Sequence, residues 1–236
     1  MNRWLFYKEK ILKHLPLNSK VLVIGASINE IKIFNELNYR NVTFGIYSKA
    51  ELKNIIDKNY YKNFNFIQSD CRKIKYKRAS FDYCFTHATL HHIDLPHLAF
   101  SELYRVSKKG VLVIEGNDSL IMRLSSALGF CEEFEVSSIS RDTGGLLNTS
   151  IPNYVYRWTE REVTKLFNSF DPKKKCKIFF EYSYDFFNKN VINKKFNITL
   201  LNFLRFFLYI YFFLFRKQGN LMSIYIDKLN CSNRFI

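Results

Sequence analysis

Short apolar runs alternate with amphipathic ones along the first half of the chain. Trp4–Leu15 spaces its apolar residues at helical intervals. Lys20–Gly25 (KVLVIG) is apolar almost without a break, the pattern of a strand buried on both faces. Asn29–Leu37 returns to helical spacing, and Asn41–Tyr47 (NVTFGIY) gives a second strand. Ser48 followed by Glu51 is a capping-box pair, in which a serine accepts a backbone N–H and a glutamate reaches back, so a helix starts there. Asn63–Gln68, Phe81–Thr86 and Val111–Glu115 read as further strands, with Pro96–Ser107 a helix between the last two. This alternation predicts right-handed crossovers and a mostly parallel sheet with helices on both faces.

After Gly116 the pattern changes. Ser119–Leu128 reads as a helix, and Gly129–Tyr156 is a long irregular stretch with Gly144, Gly145 and Pro152. Loops of that length in a compact domain usually carry function. Thr159 and Glu162 form a second capping-box pair and open a helix to about Phe167; Lys177–Phe186 and Leu221–Lys228 alternate like strands. Between these strands lies Ile198–Phe215, 18 residues interrupted only by Thr199, Asn202 and Arg205. Its length would allow a membrane span. A span would, however, put Leu221–Lys228 across the membrane from its sheet, and Arg205 would be costly in lipid. The expectation is a helix packed on the domain or lying at a membrane surface. Basic residues crowd the stretch from Pro172 to Lys217, opposed only by Glu181 and Asp185, as an interfacial anchor would require. The whole chain, 1–236, is expected to be one domain, with 117–170 a cap-like substrate segment and 187–219 a hydrophobic helical insertion.

Composition narrows the class. A chain of 236 residues with 47% hydrophobic and 17% aromatic content can bury a sizeable core, which excludes a disordered protein. The five cysteines are scattered and include no CxxC pair, so neither a disulfide nor a structural zinc framework is expected, and a reducing, cytoplasmic setting fits. The N-terminus mixes charges into its apolar residues and lacks the apolar run of a signal peptide. The net charge of +15 is read as a solvated lysine-rich surface. No arginine-rich helix, zinc finger or RNP-type strand supports specific nucleic-acid readout.

Candidate chemistry sits where open parallel sheets bind ligands, beyond the carboxyl ends of the strands. Four loops qualify: Gly25-Ala26-Ser27 with Glu30 behind it, the turn after Tyr47, Ser69-Asp70-Cys71, and His87-Ala-Thr-Leu-His91-His92. The order of a lone acid at a strand end, an FDYCF strand, a histidine-rich loop and a helix carrying Glu102…Arg105-Val106…Gly110 resembles a class I S-adenosylmethionine (SAM)-dependent methyltransferase. The resemblance covers most of the chain; Lys20–Gly116 matches the cofactor-binding half, most specifically at Asp70, Phe81-Asp82, Leu90-His91-His92 and Glu102…Arg105-Val106…Gly110. The later IEGNDSLIMRL and IPNYVYRWTEREV segments look like a bacterial subgroup of the same enzymes.

The resemblance implies a Rossmann-like α/β fold whose mostly parallel seven-stranded sheet ends in an antiparallel strand pair. It implies SAM as cofactor, with Gly25, Ala26 and Ser27 against its methionine part. Asp70 would accept from the adenine amino group, with the Cys71 backbone N–H beside it. The family's ribose acid is missing after Tyr47, so Glu30 or the Tyr47 hydroxyl would substitute, unless Glu30 merely favours a helix start. The His87 loop would line the methionine part and the acceptor pocket. His91 or His92 would take a proton as the methyl arrives, or else cap the following helix. No metal site is expected, because no carboxylate or thiolate lies at helical ligand spacing and adjacent His91 and His92 should point apart. Asn153, Tyr154, Tyr156, Arg157 and Trp158 either close over the acceptor or form core, and Glu102 with Arg105 reads as a structural ion pair. The implied activity is methyl transfer to a small-molecule, glycan or lipid-linked acceptor, with peripheral membrane contact through 198–215. The thin glycine loop and missing ribose acid motivate an alternative, a catalytically inactive methyltransferase-like module for interaction or membrane docking.

Overall fold

The structure, a computed structural model, describes residues 3–58, 61, 63–136, 139, 144–171, 176–184, 207 and 210–229. Helices are α1 (Arg3–His14), α2 (Ile28–Glu36), α3 (Lys49–Lys58), α4 (Pro96–Val106), α5 (Leu120–Ala127) and α6 (Glu160–Phe170). Strands are β1 (Val21–Ile24), β2 (Val42–Ile46), β3 (Asn65–Gln68), β4 (Phe81–His87), β5 (Ser107–Gly116), β6 (Lys177–Ser183) and β7 (Leu221–Asp227). They form one seven-stranded sheet in the order β3-β2-β1-β4-β5-β7-β6. The pairs from β3 to β5 are parallel, and β7 runs antiparallel to both neighbours. The parallel part is what the strand–helix alternation predicts, and the antiparallel final pair completes the Rossmann-like arrangement that the family resemblance implied.

Alternate strand residues serve opposite faces. Val21, Val23, Phe85, Leu112 and Ile114 join α1 and α2 in one core. Leu22, Ile24, Cys84, Val111 and Val113 join α4 and α6 in the other, which encloses Trp158. Burial on both faces is why these strands read as unbroken apolar runs. The strand order reverses between β1 and β4, which opens a crevice at their carboxyl ends.

Helix starts differ from the sequence reading in an instructive way. The complete capping box belongs to α2, where Ser27 and Glu30 bond reciprocally. At α3 only half forms: Glu51 N–H donates to the Ser48 hydroxyl at 3.3 Å, and the Glu51 carboxylate does not return. At α6, Thr159 accepts from Glu162 N–H at 3.1 Å, while the Glu162 carboxylate goes instead to His97 and Tyr156. At α6 it is the tertiary environment that draws the glutamate away from the cap.

Helix α1 is tied to the far edge of the sheet. Glu181 on β6 accepts from Lys10 and Lys13 at 2.7 Å each and meets His14 at 2.9 Å. Although burial pushes its carboxyl up, these partners pull it down to about 2. The cysteine expectation is corrected at one residue: Cys176 is disulfide-bonded to a partner outside the described residues, while Cys71, Cys84 and Cys131 are free.

Most of 198–215 lies outside the described residues. Residues 210–214 are helical; Phe212 is buried and stacks on Tyr184 at 4.9 Å, while Ile210, Phe213, Leu214 and Phe215 are exposed. Among the described residues no helix is long and apolar enough to cross a membrane.

Candidate active site

Two clefts meet at the carboxyl ends of β1, β2, β4 and β5. The first, about 260 Å³, is lined by Gly25, Ala26 and Ser27 after β1, Tyr47, Ser48 and Glu51 after β2, and Ala88, Thr89, His92 and Ile93 after β4. Gly144, Gly145, Leu147 and Asn148 border it on a further side. Gly25 is required here twice over. Its φ of +70° lies in the left-handed region, and a Cβ would stand 2.2 Å from the Thr89 side chain. The loop can therefore lie against the β4 turn only without a side chain.

The second cleft, about 300 Å³, is lined by Arg3 and Tyr7 from α1, His87, His91 and His92 from the β4 turn, Glu115 and Gly116 from β5, and Glu135, Tyr156 and Arg157 from the segment beyond. Ala88 and His92 line both clefts, so the two spaces adjoin at that turn.

A buried carboxylate organises the junction. Glu115, fully buried at the end of β5, accepts from the backbone N–H groups of Thr89 and Leu90 at 2.7 Å each. Its other oxygen meets His91 Nδ1 at 2.7 Å. These bonds hold Leu90–His92 in a 3₁₀ turn. The turn brings the two imidazoles side by side, ring centroids 4.3 Å apart. Both Nε2 atoms face Glu135 Oε2, at 3.5 Å from His91 and 3.8 Å from His92. The sequence expectation that adjacent histidines would point apart does not hold, because a 3₁₀ turn with one ring tethered to Glu115 swings both to one side.

Asn153, also buried, fixes the remaining ring. Its amide nitrogen donates to the His91 carbonyl at 3.0 Å and to Glu135 at 3.3 Å. Its oxygen therefore faces His92 Nδ1 at 3.1 Å, which assigns the proton to Nδ1 and leaves the Nε2 lone pair toward the cleft. Burial alone would lower the His91 pKa, but Glu115 and Glu135 outweigh it and raise the ring to about 10. His92 is shifted downward by burial and by the charge on His91. Glu135 is held at about 2, chiefly by His91.

Against this geometry, residues 29–114 match the family model of the methyltransferase domain. No curated protein sequence matches the chain. Among solved structures, the S-adenosylmethionine-dependent methyltransferase from Mesorhizobium loti aligns over 93% of this chain and 96% of its own, at 11% identity and a TM-score of 0.57. The SAM-dependent methyltransferase of Aquifex aeolicus aligns over 94% and 90%, at 15% identity and a TM-score of 0.51. The magnesium protoporphyrin IX methyltransferase of Synechocystis PCC 6803, solved with bound SAH, aligns over 95% and 81%, at 10% identity and a TM-score of 0.57. At these identities the structural likeness is one of fold, and the family model adds the domain. Residues 29–114 thus carry the match to the methyltransferase domain, within a fold shared with SAM-dependent methyltransferases.

The expected cofactor residues divide. Gly25, Ala26, Ser27 and Tyr47 line the first cleft. Glu30 does not: it is buried, with one oxygen on Ser27 and the other on His87 Nδ1 at 2.8 Å. Burial raises its carboxyl, yet His87 and Ser27 hold it below the usual range. Its work is to position His87, whose ring packs on Tyr7 at 3.9 Å and lines the second cleft. Asp70 does not line the first cleft either. Both its oxygens are committed to Arg72, at 2.7–3.2 Å, and Arg72 also bridges to Asp94. Cys71 beside it is buried, its thiol pushed up to about 12 by burial.

Sequence reasoning missed Glu51, Glu115 and Glu135. Glu51 looked like a cap, but its carboxylate borders the first cleft with no hydrogen bond among the described residues, and burial followed by the Glu30 charge raises its pKa. Glu115 could have been noticed as an acid ending an apolar strand. Glu135 sits in an irregular stretch that offers no period to read.

Proposed function

We propose that this methyltransferase transfers a methyl group from SAM to an oxygen or nitrogen of a polar acceptor, a small molecule or a sugar, held in the second cleft. The observation that carries this reading is the junction of the two clefts at Ala88 and His92, which gives donor and acceptor one shared boundary. SAM supplies a methyl already activated on a sulfonium. Gly25–Ser27 would pack against its methionine part, and Tyr47 and Glu51, which line the same cleft, would accept from its ribose hydroxyls. Glu51 would thus stand in, one helical turn later, for the acid absent after β2. The polar and charged lining by Arg3, Arg157, Glu115 and Glu135 favours a hydroxylated acceptor over an acyl chain.

With the methyl activated, in-line alignment across the junction supplies much of the acceleration. Where the acceptor must lose a proton, His92, whose pKa is lowered by burial and by the charge on His91, is the ring suited to take it, because His91 already holds one. Calorimetric titration of the full chain with SAM and SAH, followed by transfer of labelled methyl to panels of free sugars, nucleotide-linked sugars and hydroxylated amines, tests the reading. Binding of neither compound would overturn it and leave the inactive docking module.

A second surface supports a membrane-facing role. Exposed Ile210, Phe213, Leu214 and Phe215 run directly into Arg216 and Lys217, an apolar patch beside cations suited to anionic lipid.

A further inference from the structure

His91, His92 and Glu135 carry more order than an acid–base pair needs. Their ligand atoms all lie within 4.8 Å of one another. The Nε2 to Oε2 separations of 3.5 and 3.8 Å are long for hydrogen bonds. They lie near the roughly 3.3 Å ligand–ligand edge of a tetrahedron built on metal bonds of about 2.0–2.1 Å.

The surrounding shell fits the same purpose. A metal-bound histidine typically donates its other ring N–H to a carboxylate or carbonyl oxygen, which fixes ring and tautomer. His91 Nδ1 meets the fully buried Glu115 at 2.7 Å, and His92 Nδ1 meets the Asn153 oxygen at 3.1 Å. Asn153 also donates to Glu135 Oε2 at 3.3 Å, the oxygen that faces both imidazoles, so one amide orients the carboxylate and the His92 ring together. Charge agrees: Glu115 and Glu135 face two imidazoles that coordinate in the neutral form, and a dication balances them. Two histidines and one carboxylate, with positions left open to a cleft, are a ligand set suited to catalytic zinc and related divalent ions.

We propose that His91 Nε2, His92 Nε2 and the Glu135 carboxylate bind one divalent transition-metal ion, zinc by preference, with a position open toward the second cleft for an acceptor oxygen. Asn153 and Glu115 are positioning residues for this site. The acceptor-oxygen part rests on the functional reading above; ion binding itself does not.

The test uses the full chain stripped of metal. Zn²⁺ is titrated in competition with a chromophoric chelator, and Co²⁺ is followed by its visible absorption, with SAM affinity measured separately on the same samples. One equivalent of either ion is expected. Glu135→Gln and His92→Asn should each weaken binding roughly 100-fold or more, and Glu115→Gln roughly 10–100-fold. His97→Asn, which removes a surface histidine paired to Glu162, should leave it unchanged. Because a variant could fail to fold, zinc-loaded wild type is also examined by X-ray absorption, where two imidazoles and no sulfur are expected. Absence of stoichiometric binding, binding that survives in Glu135→Gln and His92→Asn, or a thiolate signal would each overturn the proposal. If SAM still binds in those cases, the metal site fails while the methyltransferase reading stands.

Discussion

The proposed cofactor side and the proposed acceptor side of this molecule are built by different means. On the cofactor side, short loops leave the ends of β1, β2 and β4, and the backbone sets their shape: Gly25 in a left-handed conformation, Ser27 capping α2, Thr89 pressed against the glycine. On the acceptor side, side chains from α1, the β4 turn, β5 and residues 135–157 are assembled across the chain around one buried glutamate. A loop cradle follows from local sequence, and substitutions in it should act locally. A long-range cluster should fail as a unit, because each polar group satisfies another that would otherwise be buried unpaired.

The contrast is broken most directly at the histidines. His91→Asn and His92→Asn should each lower turnover roughly 10²–10⁴-fold while SAM affinity changes far less. Near-normal turnover in both would make the acceptor side a packing feature and leave alignment alone to drive transfer.

Next comes the keystone of the cluster. Glu115→Ala removes the partner of His91 and the acceptor for two backbone N–H groups, so it should destabilise the fold by about 3–5 kcal/mol, the cost of breaking a buried pair. Urea denaturation measures it, and a loss under 1 kcal/mol would show that the junction is not organised by this carboxylate.

The cofactor side is sharpened by pairing two acids. Glu51→Ala should weaken SAM binding by about 1–3 kcal/mol, the scale of an unpaired polar contact. Asp70→Ala should cost less, since its carboxylate is already engaged by Arg72. The opposite order in calorimetry would return Asp70 to the adenine contact that the family resemblance assigns to it.

A smaller effect tests the tie between the acceptor side and the rest of the fold. Helix α1 brings Arg3 and Tyr7 to the second cleft and is fastened by Glu181. The folded Glu181 carboxyl is depressed from 4.5 to about 2, so its stabilisation is complete above pH 4.5 and is lost as pH falls toward 2. Glu181→Gln should therefore cost about 1–2 kcal/mol at pH 7 and progressively less in acid, after allowance for solvent screening. A pH-independent difference would remove the charge from the account.

The weakest expected interaction is with lipid. The full chain should sediment with anionic liposomes and be released by salt, because attraction of about 1 kcal/mol per surface cation is screened within a Debye length. Phe213→Ser with Leu214→Ser should reduce sedimentation without unfolding the sheet. Indifference to liposomes would retire the membrane-facing surface.

The sequence by itself determined the sheet. Residues buried on both faces of a parallel strand must be apolar in succession, so β1, β2, β4 and β5 are visible as runs, and a domain with that alternation has few ways to close. It also pointed to the loops at the carboxyl ends of those strands, several of which line the two clefts. Tertiary structure alone decided what individual polar residues do. Glu30 and Glu51 both read as helix-start acids; burial against His87 makes one a buttress, and exposure to the cleft makes the other a candidate ligand. Asp70 sits at the expected strand end, yet Arg72 two residues on captures it. His91, His92 and Glu135 come together through Glu115 and Asn153, which lie 24 and 61 residues from the histidines they hold. Apolar periodicity is a local record of which face is buried, whereas the partner of a buried charge is chosen by whatever the fold brings within about 3 Å, and no short stretch of chain encodes that.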